Sequence, residues 1–357
     1  MNNGKKVVLI LIIIALAILA FLGTIYYVYH SRVRLLYLKS EEKFKIGTSD
    51  QIKQGIGDFR ELAVRFPRSK YAPMALYQIG YGYELLYNVS KDEDKLHIAQ
   101  NEYYNVYKSY PDSLAAQKAL YQIAYISFVK GEYEDSQERL DYLLSRYIDT
   151  SLKSQIYNRK GYIYLALGEV EKALKFFSQK ENYNSDEALL GKAECYFRLG
   201  EYEKGIMVYE EFIKYRKTSN LRQSGIEKFL DNTYRYAKIL TGRRDYIRST
   251  MLYQKIINLL PGNKLVENCL YWIGENFYDV KDYDRAIEYF NRVVDNPGTG
   301  KDDDALFKTG ICYFELHKYE ESLKYFRKIL DYYAGSTYRK MARDWERQCL
   351  RELKYKR

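Results

Sequence analysis

The segment Leu270–Phe290, LYWIGENFYDVKDYDRAIEYF, decides the fold of this chain. After Gly274, an aromatic, a small and an aromatic residue follow three, twelve and sixteen positions later, at Phe277, Ala286 and Phe290. A small side chain lets two antiparallel helices cross closely, and the aromatic rings fill the space beside the crossing. The segment therefore predicts two packed helices joined by a short turn.

The same spacing recurs through the chain. Small residues at the predicted helix crossings lie 32 to 44 residues apart, at Gly80, Ala124, Gly161, Ala193, Ala237, Gly274 and Gly310. Several second helices are expected to end at prolines, at Pro67, Pro111, Pro261 and Pro297. A degenerate first unit is predicted from Leu35–Phe44, with Gly55 and Phe59 in its second helix. Because each helix pair has an apolar face that only the next pair can cover, we expect an array of about eight pairs.

Local signals place the turns and the end of this array. Glycine supplies a left-handed helix end in the predicted turns Lys130-Gly131-Glu132, Leu167-Gly168-Glu169 and Leu199-Gly200-Glu201. In the unit that opens at Gly80, the loop Asn88–Asp94 is expected to be longer by seven residues. The last helix, Tyr338–Tyr355, is rich in charged residues, as a terminal capping helix requires.

These positions resemble the tetratricopeptide repeat over roughly residues 35–340. The resemblance implies an all-α fold, in which an α-solenoid of about eight such helix pairs ends in a capping helix. It also implies a scaffold that binds other proteins and performs no chemistry of its own.

A narrower resemblance is to bacterial envelope proteins. The stretches Leu270–Glu275, Lys281–Phe290 and Asp304–Gly310 resemble the C-terminal repeats of the periplasmic Tol–Pal coordinator family. Phe66-Pro-Arg-Ser69 and Tyr110-Pro-Asp-Ser113 resemble seams in the outer-membrane-assembly lipoprotein of the β-barrel machinery. The chain departs from both families, because it has no lipid-accepting cysteine near its start and no N-terminal coiled-coil heptads. One membrane helix before repeats is similar to translocon-associated periplasmic repeat proteins, and these resemblances imply a role in envelope assembly or maintenance.

The N-terminal segment Val7–Val28 is almost wholly apolar and carries no charge. As a helix it would rise about 33 Å, enough to cross the hydrocarbon layer of a membrane. Residues 1–30 are therefore expected to form an N-terminal tail and transmembrane anchor, and residues 31–357 the solenoid. A cleaved signal peptide is the alternative, since Lys5 and Lys6 precede the run and Ala15-Leu-Ala17 could act as a cleavage site.

The charges beside this segment leave its orientation open. Two lysines precede the segment, whereas four basic residues follow it, at Arg32, Arg34, Lys39 and Lys43. Counting alone favours a cytoplasmic body, although long domains are translocated despite such charges. The envelope resemblance instead implies a single-pass protein of the cell membrane with its body in the periplasm.

The formal net charge is +10, with two denser basic stretches. Arg222–Lys264 holds nine Lys/Arg against three Asp/Glu, a net +6, and Tyr338–Arg357 holds eight against three, a net +5. No nucleic-acid-binding motif accompanies them, so nucleic acid is not an expected partner. An alternative function remains open, in which a structural protein uses these stretches to bind anionic membrane surfaces.

No catalytic or metal-binding pattern accompanies the repeats. The histidines His30, His97 and His317 are scattered, and the four cysteines are far apart and are expected to be small apolar residues on helices. Asp302-Asp-Asp304 could suggest a cation site, but acidic residues also favour the start of a helix. We therefore expect no enzyme, no cofactor, no metal site and no small-molecule substrate.

The predicted binding site is a groove lined by the first helix of each pair. In such arrays the side chains one position after the small residue, and three positions before it, face a concave surface that holds a protein or peptide. The aromatic residues at these positions are Tyr77, Tyr81, Tyr121, Tyr125, Tyr162, Tyr234, Tyr271 and Phe307. Tyrosine offers rigid contact area at low entropic cost. The alternative is that these rings pack against neighbouring helices.

We predict that Val7–Val28 stays in the mature protein, because its apolar run is longer than a signal peptide needs. N-terminal sequencing of the membrane-extracted chain tests this expectation. A mature chain that starts near residue 18 or 21 would exclude the anchor. Protease accessibility of the body in intact cells reports which side of the membrane it occupies.

Overall fold

The computed structural model describes residues 3–147, 150–295 and 300–355, with side chains from Ile14 onward. Its regular structure is all helical, which confirms the predicted fold class. The chain divides into two compact units, Met1–Ser185 and Asp186–Arg357.

The first unit contains four helix pairs, of which the first uses the C-terminal part of α1. Its helices are α1 (Asn3–Ile46), α2 (Ser49–Arg65), α3 (Ala72–Ser90), α4 (Glu93–Ser109), α5 (Leu114–Val129), α6 (Tyr133–Arg146), α7 (Lys153–Ala166) and α8 (Val170–Phe177). A single 3-10 turn follows at Lys180–Asn182. Consecutive helices pack on one another, so the pairs stack in chain order.

The second unit contains four more pairs and a last helix. Its helices are α9 (Asp186–Arg198), α10 (Tyr202–Tyr215), α11 (Arg222–Gly242), α12 (Tyr246–Leu259), α13 (Leu265–Asp279), α14 (Tyr283–Val294), α15 (Asp302–Glu315), α16 (Tyr319–Tyr332) and α17 (Arg339–Tyr355). Helix α17 covers α16, with Ala342 and Cys349 buried, as expected of a capping helix. The eight predicted pairs are therefore present in the described residues.

The predicted crossings hold each pair together. A Cβ atom built on Gly80 would lie 2.7 Å from Tyr103 Cε1, and one on Gly274 would lie 2.6 Å from Phe290 Cε1. Gly161 and Gly310 meet the rings of their pairs at the same close range. Where alanine replaces glycine, the facing residue is equally buried, as at Ala193 and Tyr209. The small-to-aromatic spacing thus encodes the distance between paired helices.

Serine adds a hydrogen bond at two of these crossings. The Ser136 hydroxyl donates to the carbonyl oxygen of Ala124 at 2.7 Å, and the Ser322 hydroxyl donates to that of Gly310 at 2.7 Å. Both serines are completely buried. A buried hydroxyl must find a partner, and here a helix carbonyl supplies it without widening the crossing.

The turns within pairs all use a left-handed residue. Gly131, Gly168 and Gly200 have φ of 79°, 78° and 76°, as predicted. Four other pairs place a side chain in this conformation, at Lys91, Arg244, Lys281 and His317, with φ between 58° and 62°. A non-glycine residue in this region costs roughly 1–2 kcal/mol, so these turns carry local strain.

Two details of the first unit differ from expectation. The stretch Asn88–Asp94 is not a long loop, because α3 continues to Ser90 and α4 begins at Glu93. The extra residues lengthen helices, since Asp92 accepts a hydrogen bond from the Asp94 amide and caps α4 immediately. The segment Leu35–Phe44 is helical and pairs with α2, as predicted, but it continues from the apolar N-terminal segment without a break at residue 31. Pro297, predicted to close a pair, lies outside the described residues.

Helix α1 changes its surroundings without a break. From Ile14 to Val28 its large apolar side chains are exposed, whereas Val33, Tyr37 and Phe44 are buried against the first unit. Ser40 completes this buried stripe, whose spacing of four, three and four residues suits one helical face. The described part Ile14–Ile46 is long and apolar enough to cross a membrane, a test that a signal sequence passes equally.

A carboxyl group is buried one helical turn beyond the Gly80 crossing. Glu84 is only 9% exposed and lies close to the crossing ring of Tyr103. Burial raises the pKa of Glu84 to about 7, and the Tyr103 hydroxyl opposes this shift in part. The native chain therefore binds a proton here between the ordinary carboxyl pKa and neutrality.

We predict that Gly274→Leu and Gly310→Leu each lower the free energy of unfolding by about 1–3 kcal/mol through overpacking at the crossing. Denaturant titration followed by circular dichroism measures the loss. Gly242→Leu is the matched control, since no atom lies within 4 Å of its Cβ position. Wild-type stability in both crossing variants would mean that the helix register is wrong.

We predict that the free energy of unfolding decreases as pH rises from the ordinary carboxyl pKa to about 7, because the native state binds more protons than the unfolded state over this range. The loss from Glu84 is at most about 3 kcal/mol. Glu84→Gln should remove this dependence and exceed the wild type in stability above neutrality. Denaturant midpoints at acidic and slightly alkaline pH test it.

Glu138→Gln, at an exposed position on α6, serves as the control and should leave the pH profile unchanged. A parallel pH profile for wild type and Glu84→Gln would contradict the raised pKa of Glu84.

Candidate partner-binding surface

In the first unit the first helices of successive pairs lie side by side. Helix α3 contacts α5, and α5 contacts α7, in addition to the contacts within pairs. Five of the predicted groove residues lie on these three helices: Tyr77, Tyr81, Tyr121, Tyr125 and Tyr162. Tyr81 is 37% exposed, and the other four are half-buried. These tyrosines therefore combine packing inside the unit with access to solvent.

The buried edge of this set is tied together by side-chain hydrogen bonds between pairs. The amide of Gln122 donates to the Tyr77 hydroxyl at 3.2 Å, and the amide of Gln78 donates to the Tyr37 hydroxyl at 3.2 Å. Each donor glutamine comes directly after a predicted groove tyrosine of its own helix, Gln122 after Tyr121 and Gln78 after Tyr77. Burial raises the pKa of Tyr77 to about 12, so this hydroxyl stays protonated at physiological pH.

The exposed edge consists of ring contacts. The Tyr81 ring lies 6.2 Å from that of Phe44, between centroids. The guanidinium of Arg159 lies 4.4 Å from the Tyr125 ring centroid, a favourable cation–π geometry. Tyr162 packs edge-on against Phe177 at 5.0 Å. A ligand on this face would meet tyrosine rings and one guanidinium.

Two of the three predicted positions of the second unit are more enclosed than those of the first unit. Tyr234 is half-buried, packs on Tyr253 at 5.6 Å and hydrogen-bonds with the Trp272 side chain. Burial raises the pKa of Tyr234, and the Trp272 contact opposes the shift. Tyr271 and Phe307 keep only 7% and 5% of their surface exposed.

Packing explains the enclosure of Tyr271 and Phe307. Tyr271 contacts Phe290 at 5.6 Å and lies under the ammonium of Lys301 at 5.2 Å. Phe307 stacks on Tyr338 at 4.7 Å. These two side chains lie in the interior of their unit, and they offer a partner little surface.

Sequence reasoning missed a second ladder, formed by the seams between pairs in the first unit. The Tyr110 hydroxyl donates to the carbonyl oxygen of Pro67 at 2.9 Å, and the Tyr147 hydroxyl donates to that of Pro111. The tyrosines that follow α4 and α6 thus reach back to the preceding seam. The repeated aromatic-proline dipeptide marks these seams in the sequence. Its hydrogen bonds could not be predicted, because they form only when neighbouring pairs pack together.

The cysteines and the acidic run have the predicted structural surroundings. Cys195, Cys269, Cys312 and Cys349 are free and buried on helices. Burial raises the pKa of the Cys269 thiol to about 12, so the thiolate is scarce at neutral pH. Asp302-Asp-Asp304 opens helix α15, and Asp304 accepts a hydrogen bond from the Tyr338 hydroxyl at 2.8 Å. Within the described residues, no group of three or more His, Cys, Asp or Glu could hold a metal ion.

The chain is similar to several solved repeat structures. One is a tetratricopeptide-repeat protein from Parabacteroides merdae, with 17% identity, 75% of this chain and 98% of that chain covered, and a TM-score of 0.36. Another is yeast Tom70, with 14% identity, 86% and 60% covered, and a TM-score of 0.38. The P58(IPK) TPR domain has 16% identity, 89% and 99% covered, and a TM-score of 0.33. Likenesses of this size carry no functional argument.

Two family models match parts of the chain, while no curated protein matches its sequence. Residues 273–337 match the tetratricopeptide repeat, and residues 130–212 match the anaphase-promoting complex, cyclosome, subunit 3. The match to the tetratricopeptide repeat begins in the middle of α13 and covers all of α14, α15 and α16, and the crossings at Gly274 and Gly310 lie within it. Arrays of this kind are typical of protein–protein interaction scaffolds. Each unit contains four helix pairs in the described residues, and residues 273–337 match the repeat model, so the chain contains tetratricopeptide repeats.

Proposed function

We propose that this chain is a membrane-anchored scaffold that binds a protein or peptide on the tyrosine face of its first unit. This face is defined by Tyr77, Tyr81, Tyr121, Tyr125 and Tyr162 on helices α3, α5 and α7. The observation that carries the proposal is the row of partly exposed tyrosines on three adjacent first helices. Such a row presents large apolar rings and hydroxyl groups together.

The physical state of these rings suits a contact surface. Tyr77 is held by Gln122, and Tyr125 is covered by Arg159, so each ring is already ordered before a partner arrives. Preordered side chains lose little entropy on binding. Tyr81 is the most exposed tyrosine of this face, and it is therefore the first candidate for an anchor residue in binding.

The membrane part of the proposal concerns Val7–Val28. The large apolar side chains from Ile14 to Val28 are exposed, although such residues favour burial. A bilayer would remove that surface from water, while the fully buried side chains of α1 begin at Val33. Tyr26, Tyr27 and Tyr29 would then lie near the interface that aromatic residues prefer.

We further propose that the anchored chain acts in bacterial cell-envelope assembly or maintenance, with its repeats on the periplasmic side. The support is the resemblance of Leu270–Glu275 and of the seams at Phe66 and Tyr110 to envelope repeat proteins. If added protease cleaves the repeats only after the cytoplasm is opened, the periplasmic location is excluded. The scaffold proposal would remain intact.

The double variant Tyr81→Ala/Tyr125→Ala tests the binding face. We expect proteins that copurify with the wild-type chain to be lost by at least about tenfold, since central aromatic contacts dominate binding energy. The helical circular-dichroism signal and the melting temperature should remain close to wild type. Quantitative mass spectrometry of affinity-purified membranes measures the loss.

Tyr104→Ala is the matched control. This tyrosine is 58% exposed on α4, a second helix of the same unit, and lies outside the proposed face. Its removal should leave the copurifying proteins unchanged. Retained binding in the double variant, or loss of its helical signal, would assign Tyr81 and Tyr125 to the core instead.

A further inference from the structure

The second unit contains an open cleft of about 510 Å³ between α12, α13 and the start of α14. Its lining is mainly apolar, and the residues that form it include Tyr246, Ile247, Met251, Phe277, Val280 and Arg285. Thr250 and Met251 also line a neighbouring cleft of about 610 Å³. The two clefts therefore meet along α12, where a ligand longer than a single side chain could lie.

The apolar part of this surface is unusually open. Ile247 is 78% exposed, Met251 is 64% exposed, and Val280 is 51% exposed. Ile247 and Met251 are four residues apart and share one face of α12. Gln254 and Asn258 continue the same face and line the second cleft. Single exposed apolar residues need no explanation, but a cluster at a cleft marks a contact surface.

Two basic residues flank this cleft in strained backbone conformations. Arg244 lies in the turn before Tyr246 with φ of 61°, and Lys281 follows Val280 with φ of 62°. Other pairs place glycine at the same point of the turn, as at Gly168 and Gly200. No ion pair to Arg244 or Lys281 is formed among the described residues. Lys91 and His317 take the same conformation in other turns, so the strain alone does not mark the cleft. Here the residues in this conformation are basic and adjoin residues that line the cleft.

The carboxylates near the same cleft are already engaged. Asp282 accepts from the guanidinium of Arg285 at 2.6 Å and from its backbone amide at 3.2 Å. Asp245 accepts from the amide of Arg248 at 3.3 Å and pairs with its guanidinium. Asp279, exposed beside Val280, hydrogen-bonds with the Tyr246 side chain and forms no ion pair among the described residues. Together with Arg244 and Lys281, it leaves a net charge of +1 outside ion pairs next to the cleft.

We propose that this cleft binds an acidic segment of a partner protein, with a large aliphatic or aromatic side chain seated between Ile247, Met251 and Val280. The apolar walls would take the side chain, and Arg244 and Lys281 would attract the flanking carboxylates. We name this surface, formed by those five residues, the α12 cleft. It is separate from the tyrosine face of the first unit, and it goes beyond the function proposed above.

The observations favour this occupant over two others. A second copy would bring another +6 stretch against the first, and like charges oppose that contact. A bilayer surface would meet the basic charge, but a concave cleft cannot keep its lining in contact with a flat surface. A peptide segment supplies both a protruding side chain and negative charge.

Methionine methyl resonances provide a direct test in the full chain, prepared in neutral detergent micelles. Only five methionines are present, so each labelled methyl group can be assigned by substitution. The probe is a synthetic peptide in which two leucines, four positions apart, are flanked by glutamates. Its counterpart carries lysines in place of the glutamates. We expect the acidic probe to shift Met251 and to leave Met207, which is also 64% exposed, unchanged.

The variant Arg244→Gly/Lys281→Gly separates binding from folding. Glycine relieves the left-handed backbone at both positions, so the melting temperature should rise or stay constant. The affinity of the acidic probe should fall by about tenfold, as expected when charged contacts at an interface are lost. A gain in stability together with a loss of binding is not expected of a purely structural role.

Lys91→Gly is the matched control, because it removes one positive charge from the same backbone conformation, with φ of 58°, in the first unit. It should leave the affinity of the acidic probe unchanged. The proposal is overturned if the acidic probe does not shift Met251, if the lysine counterpart shifts it equally, or if the double variant binds like the wild type.

Two further outcomes would replace the partner segment with another occupant. A Met251 shift caused by phosphatidylserine vesicles but not by the acidic probe would assign the α12 cleft to a lipid surface. A Met251 shift that depends on protein concentration alone would assign it to a second copy of the chain. Either result would overturn the proposal.

Discussion

The contact between a small residue and a ring at each helix crossing is the constraint on which the structure depends. At Gly80, Gly161, Gly274 and Gly310 an added Cβ atom would lie less than 3 Å from the facing ring. The backbones therefore approach as closely as the ring allows, and this sets the separation of each pair. Pairs built on this same contact present similar apolar faces to their neighbours within a unit. Stacking then follows from local geometry repeated along the chain.

The register of the repeats was predictable because it depends on contacts between residues only sixteen to twenty-three positions apart, as for Gly274 with Phe290 and Gly80 with Tyr103. Helix boundaries that depend on weak signals were less accessible. Asn88–Ser90 has a polar composition that favours loops, yet the stretch stays helical in α3 until Lys91 takes a left-handed conformation. Likewise, the change in composition after Val28 indicates a boundary between segments, but it includes no residue that breaks a helix, so α1 continues.

The candidate surface shows where sequence reasoning reaches its limit. The spacing predicts which helix positions carry aromatic residues, and it does so equally in both units. Whether a ring faces solvent depends on which side chains of the following helices and turns pack over it, as Tyr338 does over Phe307. The hydrogen bonds from Gln78 to Tyr37 and from Gln122 to Tyr77 also require the stacked register. Such contacts between pairs span about forty residues, and no local pattern encodes them.

The abundance of tyrosine has a physical explanation in these contacts. A phenylalanine ring could fill a crossing as well as Tyr103 does. The hydroxyl, however, lets rings at other positions join neighbouring pairs, as Tyr110 does to Pro67. One residue type thus serves packing inside a pair and hydrogen bonding between pairs. The 41 tyrosines are therefore consistent with an array that is joined at its seams by polar contacts as well as by apolar burial.

The unbroken course of α1 has a mechanical consequence. Its 44 residues form a rod of about 66 Å, and the same rod supplies the first helix of the repeat array. If Val7–Val28 lies in a bilayer, no slack separates the lipid-embedded part from the first repeat. A tilt of about 20° would carry the far end of the helix, about 27 Å beyond Val28, sideways by about 9 Å. Rotation of the embedded part would likewise rotate the first pair. The thickness of the bilayer and the lateral forces on the helix would therefore affect the position of the first repeat.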